Sequence, residues 1–146
     1  MKRSPIKRKR SKPRKMENLT LRARYSRGNP SCEIVVWLYD VFAEIAEAEG
    51  WTGQAEETHH IYGGTSGRND LVSNIIRLSK RAHDWCGKNM VDGRIVCLWI
   101  KHQKHELDPE EVRTASGKFL PGILAGATVR FKFVEPLLAE LRAAYP

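Results

Sequence analysis

The chain has 146 residues, of which 41% are hydrophobic and 29% charged, with a formal net charge of +8. That length fits one domain with a modest core, and the composition is that of a globular rather than a disordered chain. No apolar run approaches the roughly 20 residues that cross a bilayer, and the charged N-terminus lacks the apolar stretch of a secretion signal, so a cytoplasmic location with no membrane partner is expected.

In chain order, the positive charge comes first. Lys2, Arg3, Lys7, Arg8, Lys9, Arg10, Lys12, Arg14 and Lys15 fall within residues 1–15 without a single acid, and the rest of the chain is close to neutral. Pro5 and Pro13 break helices, and no apolar periodicity begins before Leu19. Residues 1–28 are therefore expected to be a disordered basic arm. Such an arm releases counterions on phosphates; anionic lipid and simple solubility are the alternatives.

A domain over 29–146 follows. Asn29-Pro30-Ser31 reads as a helix start. Ile34, Leu38, Phe42 (or Val41) and Ile45 recur at helical spacing over 33–49, and Gly50 stops the helix. Residues 56–60 and 74–78 read as short strands, separated by the turn-forming Gly63-Gly64, Ser66-Gly67 and Asn69-Asp70. Ser79 is placed to cap a helix through His83 to Cys86, ended by Gly87. A further helix is expected over Arg94 to Lys104. The run Asp108-Pro109-Glu110-Glu111 has the form of a capping box with proline in the first turn, its helix ending at Gly117. Val129 to Phe133 alternates with period two and reads as a strand, and Pro136 opens a last helix, Leu137 to Ala144. The expected class is α+β, mainly helical, with helices over 33–49 and 94–145 flanking a core at about 56–88. Cys32, Cys86 and Cys97 lack paired spacing, which argues for a reducing compartment and for buried free thiols at two of them or more. The four tryptophans read as core.

The chemistry lies in His59-His60, Asn74 and His83. Neighbouring residues of a strand point to opposite faces, so His59 and His60 suit separate tasks. His83, on the following helix, can close back and share a metal with one of them. Phosphodiester hydrolysis needs a cation to stabilise charge on the transition state. It also needs a base that titrates near neutrality, which histidine is.

This pattern resembles the His-Asn-His (HNH) endonucleases of the ββα-metal fold, and small members encoded by phages or prophages. The resemblance covers residues 57–87, and the spacings of 14 residues from His60 to Asn74 and nine more to His83 suit the family. It implies that His59 and His83 hold one divalent metal ion, His60 is the general base, and Asn74 positions the loop or base. It also implies DNA as substrate, products with 5′-phosphate and 3′-hydroxyl ends, and no small-molecule cofactor. The working ion it implies is Mg²⁺ or Mn²⁺, while two imidazoles also suit Zn²⁺ or Ni²⁺. The chain departs from relatives that carry Cys-x-x-Cys pairs around a structural zinc. Ser79 and Ala82 stand at the later pair's positions, and at the earlier one Cys32 has Val35 where its partner would be. Arg68, Arg77, Lys80 and Arg81 flank the motif and are candidate phosphate contacts. The alternative is a non-catalytic nucleic-acid-binding module built on the same scaffold.

Overall fold

The computed structural model describes residues 17–49, 53–63 and 69–146, apart from the side chains of 41, 42 and 44–49. The basic arm through residue 16, Trp51, Gly64 to Arg68, and the side chains of Val41, Phe42 and Ile45 lie outside the described residues. Along the chain run α1 (Leu19–Gly28), α2 (Glu33–Glu49), β1 (Glu57–His60), β2 (Ile75–Leu78) and α3 (Lys80–Lys88). Then come α4 (Met90–Gln103), α5 (Pro109–Ser116), α6 (Leu120–Gly126) and α7 (Glu135–Ala144), with 3-10 turns at Val72–Asn74 and Lys132–Val134. The class is α+β: helices predominate, around one two-stranded antiparallel sheet. No helix among the described residues is long and apolar enough to cross a membrane.

The two strands differ in what they bury. In β2, Ile75, Ile76 and Leu78 are all buried, whereas β1 is polar and half-buried throughout. Pairing puts Thr58 opposite Arg77, His59 opposite Ile76 and His60 opposite Ile75. The apolar strand is thus the floor, and the histidine strand lies at its margin. Ser79 caps α3 by accepting the Ala82 N–H at 3.2 Å, and Trp85 and Cys86 pack into a core shared with Ile95, Leu98, Leu138 and Leu141.

The crossing of α3 and α4 depends on Gly93. A Cβ at that position stands 2.9 Å from the Cys86 Cα and 3.1 Å from its Sγ. Gly93→Ala is therefore expected to cost about 1–3 kcal/mol, the range for overpacking a filled interior. Urea denaturation reads this directly; unchanged stability contradicts so close an approach.

Several expectations are corrected, Trp37 among them: expected in the core, it is 40% exposed. Residues 19–28 form a helix, α1, where a disordered arm was expected. Tyr25 is buried there and accepts hydrogen bonds from Lys101 Nζ (2.7 Å) and Lys104 Nζ (3.0 Å) while donating to Glu33 (2.7 Å). Asn29 to Ser31 does not start α2: the Asn29 N–H bonds the Ser26 carbonyl and closes α1. Gly87 does not end α3, which runs on to Lys88, and α4 starts at Met90 rather than Arg94. The capping box at Asp108 forms by halves. Asp108 accepts the Glu110 N–H at 2.9 Å, but Glu111 turns away to accept the Ser73 N–H at 3.0 Å. Finally, residues 129–133 form no strand. The carboxylate of Asp92 takes the N–H groups of Arg130 and Phe131, and the rings of Phe131 and Phe133 lie 5.5 and 6.4 Å from that of Trp85. The alternation there serves an aromatic cluster, not a ladder.

Gly117 does end α5 in the left-handed region (φ 77°), and His102 is a hydrogen-bonded structural histidine, 3.0 Å from the Tyr145 hydroxyl.

Candidate active site

Strand alternation separates the two neighbouring histidines. His60 turns toward α1 and places Nε2 2.8 Å from Asp70 Oδ1. Asp70 is 3% exposed, and its other oxygen accepts the Asn18 N–H at 2.7 Å and Arg22 Nε at 3.0 Å. Burial acts to raise this carboxyl, but the bonds from Asn18 and His60 and the Arg22 charge outweigh it and hold it below its usual range. Asp70 is placed to accept a hydrogen bond from Nε2–H, and that tautomer of His60 presents a bare Nδ1.

His59 turns the other way, toward α3 and α4. Its ring centroid lies 4.7 Å from that of His83, with the planes tilted by 59°. Nδ1 of His83 is 2.5 Å from Glu57 Oε1. If the carboxylate accepts from Nδ1–H, Nε2 of His83 is left as the available donor atom, an arrangement common where histidine ligates metal. Glu57 and His59 are two residues apart on one strand and so share a face. The structure thus brings His59 and His83 side by side and keeps His60 apart on the opposite face.

Burial comes first among the causes that bring His59 down to about 3, followed by the neighbouring His83, His60 and Arg94 charges. Between about 3 and the ordinary 6.5, the unfolded chain binds a proton there that the folded chain refuses. Stability from this group is complete above that window and is lost as pH falls through it, by at most about 1.4 kcal/mol per pH unit. In EDTA, lowering pH from 7 to 5 is expected to cost about 1–2 kcal/mol, and His59→Gln is expected to flatten the slope. Equal slopes for both proteins contradict the assignment.

Asn74 is 1% exposed. Its Oδ1 accepts the Tyr62 N–H at 2.8 Å, and its Nδ2 donates to the carbonyls of Tyr62 (3.0 Å) and Asn69 (2.9 Å). One amide therefore fastens both described ends of the segment that leaves β1.

The candidate phosphate contacts separate. Lys80 and Arg81 are exposed in the first turn of α3. Arg77 is turned onto its own sheet, donating to Thr58 Oγ1 at 3.1 Å and the Ala55 carbonyl at 3.3 Å. Arg68 lies outside the described residues. An open pocket of about 630 Å³ lined by Tyr62, Arg94, Lys118, Phe119 and Ile123 sits beyond the end of β1, but none of the three histidines lines it.

Three site neighbours escape a reading of the motif alone. Asp70 and Glu57 each hold a ring nitrogen of a motif histidine. Glu57 is betrayed only by its i, i+2 spacing from His59, and Asp70 by nothing local. The third feature is the thiol pair: the ligand atoms of His59, Cys86 and Cys97 all lie within 4.8 Å of one another. All three cysteines are free and buried, where at least two were expected to be. A hydrogen bond with Cys86 and burial push the Cys97 thiol well above its usual range.

Comparison with protein-family models, curated protein sequences and solved structures finds no match to this chain.

Proposed function

We propose that the chain is a metal-dependent endonuclease of the ββα-metal type that hydrolyses DNA phosphodiester bonds. One observation carries the reading: strand, strand and helix set the His59 and His83 rings 4.7 Å apart while the adjacent His60 is held by a buried carboxylate. The donor set fits a divalent cation, since Glu57 fixes one nitrogen of His83 and leaves the other available. Such an ion, bound by His59 and His83, supplies Lewis-acid stabilisation of the scissile phosphate and leaving 3′ oxygen.

The chain's own groups do the rest. His60 Nδ1 takes the proton of the attacking water, and the resulting imidazolium is stabilised through Nε2 by Asp70. Asn74 holds the segment after β1 in place. Lys80 and Arg81, with the basic residues 1–15, contact the phosphate backbone; Arg77 braces β1 against β2. Arg68 is a further phosphate contact. The products carry 5′-phosphate and 3′-hydroxyl ends, and three unpaired thiols fit a reducing, cytoplasmic setting.

The test is nicking of supercoiled plasmid by the wild type with Mg²⁺ or Mn²⁺ and with EDTA, beside a DNA-binding measurement. Cleavage with metal and none with EDTA is expected. Binding without cleavage under any metal overturns the enzyme and leaves a non-catalytic DNA-binding module.

A further inference from the structure

The two thiols behind His59 have no part in that chemistry. We propose that His59, Cys86 and Cys97 form a binding site for a thiophilic cation such as Zn²⁺, Cd²⁺ or Cu⁺, set into the core behind β1. Three elements converge on it. His59 comes from β1, Cys86 from the inner face of α3 and Cys97 from α4, with ligand atoms within 4.8 Å of one another. Ligands of one tetrahedral zinc stand roughly 3.5–4 Å apart, given bonds of about 2.0–2.3 Å. The three atoms therefore need to draw together by about an ångström or less.

The backbone favours that closeness. Gly93 lets α4 approach Cys86 so nearly that no side chain fits between, and Cys97 follows one turn later on the same face. His83 precedes Cys86 by three residues on α3, hence on the same side of the helix, and its ring already adjoins that of His59. It is the natural fourth ligand; water is the alternative. Two sulfurs and an imidazole are a soft donor set that selects Zn²⁺, Cd²⁺ or Cu⁺ over Mg²⁺. Binding breaks two S–H bonds and releases both protons to solvent, with no change of oxidation state.

His59 belongs to both donor sets, so a thiophilic occupant draws it away from partnership with a harder ion. The binding site stands without the nuclease reading; only this inhibitory consequence, loss of Mn²⁺-supported nicking on adding Zn²⁺, rests on it.

Cobalt(II) is the probe, because a thiolate–cobalt charge-transfer band in the near ultraviolet reports sulfur ligation. The wild type is expected to develop the band to an end point at one ion per chain. Cys86→Ser and Cys97→Ser are expected to abolish it, and Cys32→Ser and His60→Ala to keep it. No band in the wild type, or an undiminished band in either Cys86→Ser or Cys97→Ser, overturns the site. Should a cysteine variant fail to fold, the wild type still decides. Zn²⁺ is expected to release about two protons per ion bound, and release of none overturns the proposal. A cobalt–thiolate band in a protein that cuts no DNA keeps this site and removes the nuclease. Cutting without the band does the reverse.

Discussion

Replacing His60 by alanine is expected to slow DNA cleavage by about 10²–10⁴-fold, the usual contribution of a positioned base, while leaving DNA affinity close to that of the wild type. The size follows from how the ring is held. Its Nε2 is engaged by Asp70 at 2.8 Å, and Asp70 is itself fixed by Asn18 and Arg22. The ring is thus fixed with Nδ1 free, and no second imidazole shares its face of the strand to replace it. Removing the ring leaves Asp70 with two of its three partners, so α1 keeps its anchor and the fold survives. Single-turnover cleavage at saturating enzyme isolates the step. A loss of less than about tenfold means that His60 is not the base.

The largest expected effect on stability belongs to Asn74→Ala. The side chain is buried, and its amide satisfies the Tyr62 N–H, the Tyr62 carbonyl and the Asn69 carbonyl. Alanine leaves all three without that partner, and each buried orphan costs about 1–3 kcal/mol unless water reaches it. About 3 kcal/mol is expected overall, with solvent entering at the strand end. Asn74→Asp is no rescue, because it turns a second acceptor toward two carbonyl oxygens. Urea denaturation measures the cost, and a loss below about 1 kcal/mol shows that Asn74 does not fasten the segment after β1. Cleavage is expected to fall with it, since His60 and Asp70 lie at the two ends that Asn74 joins.

What the sequence revealed was local. The Ser79 cap, the apolar run Ile75-Ile76, the stop at Gly117 and the polar strand bearing His59 and His60 are written in neighbouring residues. Their physics acts over one turn or one pleat. What stayed hidden depends on partners far along the chain. Tyr25 sits in a run of basic residues and gives no periodic signal, yet Glu33, Lys101 and Lys104 build a polar nest around its hydroxyl. The alternation of Val129 to Phe133 is real, but a strand needs a neighbour. Here Asp92, some 38 residues earlier, takes the N–H groups instead. Glu111 likewise leaves its own helix cap for Ser73, 38 residues away. The site repeats this division. The imidazoles could be paired from spacing, whereas Asp70 at His60, and Cys86 with Cys97 at His59, required the packing of α1, α3 and α4 to be known.

The most direct measurement is manganese binding, followed by the electron paramagnetic resonance of free Mn²⁺, in the wild type, His83→Ala and Cys86→Ser. A single site is expected in the wild type, lost in His83→Ala and kept in Cys86→Ser, because the harder ion uses the imidazoles and not the sulfurs. Failure of the wild type to bind Mn²⁺, or binding undiminished by His83→Ala, contradicts the claim that His59 and His83 share a cation.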